Sequence, residues 1–419
     1  VLAQQGEVHG VVFDGLRSAL LVLDGHLEQA TDLADQVLAE PTASAVALGW
    51  AVFGGGMSAA LSGRTADAAR LATRGRDISP NVDALMRFLL ALGEVRALTL
   101  AGDFDTAQAR SGDIVRVTSP SQFRARAMAQ ILAATVEVGR GQLRTAMERL
   151  EENLAALSGE TAAAWILPAR LLLAQCYCGL GMDEAAGVLV AELTDGVGAG
   201  GRSFGPSVRI AESWLAAAEG HMTGAVAAAL HAADLAAEGG QRAVELMALH
   251  AAARFGDKSC LPRLVEVADE VGGPLGAADA AHARGLMNGD AAVVFSAAGE
   301  FERIGALLSA ADAAAQASEL FDRAGDRRHG VEAAAFADRL ARQCGGLRTP
   351  ALRGRSQPLP LSVREREIAD LVARGLSNPE IAERLVVSRR TVEGHLYRIF
   401  AKLDISDREE LTAVMRGGR

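Results

Sequence analysis

Near its C-terminus the chain reads Ser377-Asn378-Pro379-Glu380-Ile381-Ala382-Glu383-Arg384-Leu385-Val386-Val387-Ser388-Arg389-Arg390-Thr391-Val392-Glu393-Gly394-His395-Leu396, and this stretch decides the fold of the last sixty residues. Ser377 with Glu380 three residues on is a capping box, and Pro379 falls in the first turn, where a missing N–H costs nothing. Ser388 starts a further helix. Ser362-Val363-Arg364-Glu365 upstream and Ser406-Asp407-Arg408-Glu409 downstream are two more boxes. Four short helices follow: one from Ser362 to Gly375, one through Leu385, one from Arg389 to Leu403, and one opened at Ser406.

The third helix sorts by periodicity. Val392, Leu396, Ile399 and Leu403 recur at i, i+4, i+7 and i+11 and form its buried stripe. Arg390, Glu393, Gly394 and Tyr397 make an open polar stripe, with Thr391, His395, Arg398 and Lys402 along its flank. A short helix, a turn at Val386-Val387 and a longer helix match a helix-turn-helix, which lays its second helix in the major groove of double-stranded DNA. On that geometry Arg390, Glu393, Gly394 and Tyr397 meet base edges. Phosphates meet Asn378, Ser388, Arg389, Thr391, His395, Arg398 and Lys402. Two assignments have bland alternatives: His395 packing or capping, and Glu393 pointing at solvent.

Charge supports a division at about residue 345. Residues 1–344 hold 28 basic and 42 acidic side chains, a balance of −14, whereas residues 345–419 hold 14 and 10, a balance of +4. The stretch 345–360, with Gly345, Gly346, Pro350, Gly354, Pro358 and Pro360, reads as an extended tether, whose three arginines could alternatively touch phosphates.

Residues 1–344 carry an internal repeat. Gly25, Gly63, Gly102, Gly141, Gly181 and Gly220 are spaced 38 to 40 residues apart, each followed five residues later by alanine: Ala30, Ala68, Ala107, Ala146, Ala186 and Ala225. Glycine closes a helix with positive φ, and a buried alanine lets two backbones approach. Pro41, Pro80 and Pro120 share the period and are expected in the first turn of the following helix. Beyond Gly220 the register loosens, with turns expected at Gly256, Gly289 and Gly325. The whole predicts an all-α chain, a helical-repeat solenoid followed by a four-helix domain. The array resembles tetratricopeptide-type repeats, though with a longer period and without most of their Trp and Tyr positions.

No catalytic residue is assigned, and the chain is read as not an enzyme. Gly196-Val197-Gly198-Ala199-Gly200-Gly201 and Gly201-Arg202-Ser203-Phe204-Gly205 mimic dinucleotide-binding and nucleophile-elbow patterns, but a helical segment, not a strand, precedes them. Cys176, Cys178, Cys260 and Cys344 lack metal spacing and read as buried thiols of a cytoplasmic protein. The histidines (His9, His26, His221, His231, His250, His282, His329) read as surface or satisfied helix residues. No segment is apolar and long enough for a membrane partner.

Leu361-Ser362-Val363-Arg364-Glu365-Arg366-Glu367, Gly375-Leu376-Ser377-Asn378, Ile381-Ala382, Ser388, Thr391-Val392, His395-Leu396 and Lys402-Leu403 resemble the LuxR-type helix-turn-helix. The resemblance implies DNA binding through the third helix and dimerisation through the fourth, by Leu411 and Val414. Ala369 stands where an aliphatic residue is usual, and Pro379, Glu393 and Tyr397 where many members carry lysine. An array followed by such a domain resembles part of the large ATP-binding LuxR regulators of the maltose-regulator class. No cofactor is expected in this chain; ATP enters only if an ATPase domain lies upstream of Val1. The reading is a transcriptional regulator, a homodimer on DNA, controlled by an unidentified small-molecule or protein effector at the array. The alternatives are an interaction scaffold, or the regulatory piece of an ATP-dependent switch.

Overall fold

Gly102 shows why the repeat exists. Its φ of 83° lets its N–H reach Thr99 O while the Asp103 N–H reaches Leu98 O, closing the helix Ala84–Ala101. A side chain there would be strained. Asp103 then caps the helix Phe104–Val117 by accepting from the Thr106 N–H, and Ala107 is fully buried. The same positive-φ turn occurs at Gly25, Gly63, Gly141, Gly181 and Gly220, and all six paired alanines are buried. The computed structural model describes residues 2–119, 122–157, 163–196, 199–353, 361–403, 405 and 407–417. Among them the chain is all-α: a solenoid of antiparallel helix pairs, then four short helices.

Three expectations need revision. Pro41 and Pro80 lie in the turns ahead of their helices rather than inside them. The caps stand three residues further on, where Ser44 and Asp83 accept from the Ala47 and Met86 N–H groups; Pro120 is outside the described residues. Past Gly220, glycine ends nearly every helix and not every second one. Gly240, Gly272, Gly305 and Gly345 join the expected Gly256, Gly289 and Gly325 at positive φ.

The third revision concerns the tether. Residues 345–353 are packed, and only 354–360 lie outside the described residues. Arg348 N–H donates to Gly179 O at 2.9 Å, and Arg144 donates to Gly345 O at 3.0 Å. Leu347, Thr349 and Ala351 are buried, and Pro350–Arg353 is a helical turn. Leucine and threonine among the glycines supply groups worth burying, which composition alone did not weigh.

The array also curls back on its own glycine edge. A Cβ added at Gly63 would meet Val271, at Gly102 Leu275, at Gly141 Leu308, at Gly181 Arg348, and at Gly220 Asp370. Successive turns of the first half thus seat successive elements of the second, and the last seat holds the C-terminal domain.

A buried polar chain crosses the second half. His282 Nε2 lies 2.9 Å from Gln316 Oε1, whose amide donates to Ala253 O, so Nε2 carries a proton and Nδ1 accepts. His250 Nε2, 3.1 Å from that Nδ1, must then donate. Its Nδ1 lies 3.1 Å from Asp279 Oδ1, which makes no hydrogen bond among the described residues. Burial pushes Asp279 well above and His250 well below their usual ranges, and holds His282 at about 4. Beside this chain the Arg254–Asp312 ion pair (2.6 Å) is buried, and Thr349 donates to Asp312.

The helix Asp183–Gly196, and no strand, runs into the glycine-rich motif at Gly196; residues 197–198 are outside the described ones. All four cysteines are buried and free. No helix among the described residues is long and apolar enough to cross a membrane.

Candidate nucleic-acid interface

The C-terminal head comprises α1 (Val363–Ala373), α2 (Asn378–Arg384), α3 (Arg389–Leu403) and α4 (Arg408–Gly417). Ser362 Oγ accepts from the Glu365 N–H and Glu365 Oε2 from the Ser362 N–H at 2.7 Å, closing the box ahead of α1. At α2 the Ser377 N–H and hydroxyl both donate to Glu380 Oε2 at 2.6 Å. Ser388 Oγ accepts from the Thr391 N–H at 3.1 Å and opens α3. At α4 the cap is one residue later than expected: Asp407 accepts from the Glu410 N–H at 2.8 Å, and Ser406 is outside the described residues.

Ile368, Leu371, Val372, Ile381, Val392, Leu396 and Ile399 form the core, so the stripe read from α3 is the buried one, with Leu403 at its margin. Leu411 belongs to this core as well, with no exposure. It therefore cannot serve a dimer surface, because a residue sealed between α1 and α4 has no face left for a second chain. The side chain of Val414 lies outside the described residues. Between α2 and α3 the chain turns through Val386, whose φ of 53° puts a β-branched residue in the left-handed region while its side chain is 91% exposed. The fold imposes this conformation at a cost.

The outer face of α3 carries Arg389, Arg390, Thr391, Glu393, Gly394, Tyr397 and Arg398, all exposed. Tyr397 is 78% exposed, and nothing lies near a Cβ added at Gly394, so the face is open at its centre. Arg389 Nε pairs with Glu393 Oε1 at 3.0 Å. The bland alternative for Glu393, a carboxylate facing only water, therefore misses a partner on its own helix. Ser388 and Thr391 hydroxyls lie 2.7 Å apart.

The proposed phosphate flank is less uniform than the sequence implied. Arg398 donates to Gly394 O and to His395 Nδ1, both at 3.1 Å. His395 is half-buried, and burial together with Arg398 and Arg364 pushes its pKa below the usual histidine range. It is neutral at pH 7. Lys402 Nζ is tied 2.6 Å from Glu365 Oε2, and Asn378 Oδ1 accepts from Arg408 Nη1 at 2.6 Å. Both are used internally, whereas Arg390 has no such partner among the described residues. Sequence reading gave Arg408 no role, yet it also donates to Leu376 O and clamps α4 onto the start of α2. Its place in the first turn of α4, opposite the net charge that turn favours, was the available signal.

Residues 359–415 match the family described as bacterial regulatory proteins, luxR family. A Mycobacterium bovis protein provisionally named as an HTH-type transcriptional regulator is 48% identical over 59 residues, 14% of this chain and 7% of that protein. The oxygen regulatory protein NreC of Staphylococcus haemolyticus is 51% identical over 51 residues, 12% of this chain and 24% of NreC. The matched stretch thus spans under a quarter of either relative. The solved structure of a Rap protein complexed with competence and sporulation factor superposes with a TM-score of 0.57 at 11% identity, covering 80% of this chain and 99% of that one. That likeness concerns the helical fold. From its caps, its core and this match, the segment 359–415 is a LuxR-family helix-turn-helix domain.

Proposed function

We propose that this chain is a DNA-binding transcriptional regulator whose helix α3 enters the major groove. The observation that carries the reading is the split of α3 inside a LuxR-family domain: Val392, Leu396 and Ile399 sealed inward, Arg390, Glu393, Gly394 and Tyr397 open outward. Arginine reads guanine bidentately and a carboxylate accepts from cytosine N4, so Arg390 and Glu393 carry base preference. Ser388, Arg389, Thr391 and Arg398 meet phosphates, which fix register without reading sequence. Asn378, His395 and Lys402 join them only by exchanging present partners for phosphate. Two heads, in a homodimer, address a two-fold site. A small-molecule or protein effector at the array controls them.

Site selection from a random duplex library with this chain tests the reading. A defined motif is expected, with Arg390→Ala and Glu393→Ala each relaxing one position by about 1–3 kcal/mol and leaving thermal stability unchanged. Absence of any enriched motif, with the protein folded, would refute sequence-specific binding.

A further inference from the structure

Among the described residues, the head meets the array at the Gly220 turn through a set of polar contacts, with no shared apolar core. Its buried core draws only on residues 361–415, and the array's two large cores only on residues up to 352. Across the seam, Arg384 Nη2 lies 2.9 Å from Glu219 Oε2 and 3.5 Å from His221 Nδ1, which itself pairs with Glu219 at 3.0 Å. Arg374 lies 3.9 Å from Asp183 Oδ2. Thr223 Oγ1 is 3.4 Å from Glu367 Oε2 and 3.5 Å from Arg364 Nη1. Asp370 closes over Gly220, where an added Cβ would come within 3.2 Å of its carboxylate.

Two buried atoms of this seam, His221 Nε2 and Glu367 Oε1, have no hydrogen-bond partner among the described residues. A seam with no shared apolar core, partly exposed ion pairs and unpaired buried polar atoms is a separable one, because each of those features lowers its stability. It differs in this from the seats at Gly102 and Gly141, which hold Leu275 and Leu308.

We propose that this seat is an electrostatic latch: the docked head binds DNA weakly, and release from Glu219, His221, Thr223 and Asp183 raises its affinity. The inference rests on the DNA-binding reading above. Docking leaves the outer face of α3 open, so inhibition acts by charge and not by cover. Residues 361–419 hold eleven basic and ten acidic side chains, and the seam sets three of those cations (Arg364, Arg374, Arg384) against array groups. It also holds the head against a body whose formal balance is −14. Affinity for DNA grows with the phosphates neutralised, and a like-charged body opposes approach. A near-neutral head is sensitive to both.

The test uses the full chain, a random-sequence DNA duplex, anisotropy titrations from 50 to 200 mM salt, and hydrogen exchange across α1. The first variant is Glu219→Gln with Asp183→Asn, and the second is Glu219→Arg, which turns attraction for Arg384 into repulsion. Faster exchange in α1, about three- to tenfold tighter binding at low salt and a steeper salt slope are expected, with Glu219→Arg the larger effect. Faster exchange with unchanged or weaker binding overturns the latch. Exchange in α1 unchanged in both variants overturns the seat itself. Failure of every form, wild type included, to bind duplex at 50 mM salt would instead refute the DNA-binding reading.

Discussion

Lys402 Nζ lies 2.6 Å from Glu365 Oε2, so the last turn of α3 is fastened to the capping box that opens the head. The lysine hydrogen bond, with that from the Ser362 N–H, holds Glu365 at about 2. A cation so placed stabilises the head first and is available to a phosphate only by leaving that carboxylate.

Lys402→Met is therefore expected to lower head stability by about 1–2 kcal/mol, discounted because the lysine is partly exposed. Glu365 has a depressed folded pKa, so its contribution is present above the unfolded value of 4.5 and is lost as pH falls towards 2. The variant should flatten that acid limb in chemical denaturation followed between pH 5 and 2. Unchanged stability with weakened DNA binding would return Lys402 to the phosphate flank.

His395 is neutral at pH 7 because burial, Arg398 and Arg364 disfavour its charge. A phosphate beside it would favour that charge, so binding would take up a proton. Duplex affinity is expected to rise several-fold from pH 7.5 to 6 in the wild type, and His395→Gln to remove that rise. Identical pH profiles for the two proteins would mean that His395 only packs.

Asp279 offers a test of proton bookkeeping inside the array. With its folded pKa raised well above 3.8, it favours the fold at low pH, and this is lost as pH rises through the folded value. The depressed His250 and His282 act oppositely, their contribution being lost as pH falls below 6.5. Asp279→Asn, which keeps the shape of the side chain without titrating, should abolish the decline with rising pH. Thermal melts from pH 5 to 9 decide it; a decline persisting in Asp279→Asn would locate the titration elsewhere.

Val386→Gly should stabilise the head by about 1 kcal/mol, since a left-handed β-branched residue is strained and its exposed side chain buries almost nothing. The readout is the denaturation midpoint at unchanged m-value. A loss of stability would mean that the valine is not strained there.

The legible parts of this protein were those written in local chemistry. The Ser362 and Ser377 boxes, the Ser388 cap and the bounds of α3 follow from hydrogen bonds spanning three or four residues. The six glycine–alanine turns do too, because positive φ and close helix approach each tolerate few residue types. The open stripe Arg390, Glu393, Gly394 and Tyr397 was visible as the complement of the buried one. Leu411 was misplaced because an apolar residue on a short helix looks the same whether it faces its own core or another chain.

The sequence by itself thus determined the helices, the repeat and the outward face of α3, all products of short-range periodicity and capping. Only the tertiary structure decided which charges are already spent. Lys402 and Asn378 find partners 37 and 30 residues away, Thr349 is drawn onto Asp312, and the head comes to rest at the Gly220 turn. These depend on how the array curls, and curvature accumulates from helix-to-helix packing that no single stretch of sequence contains.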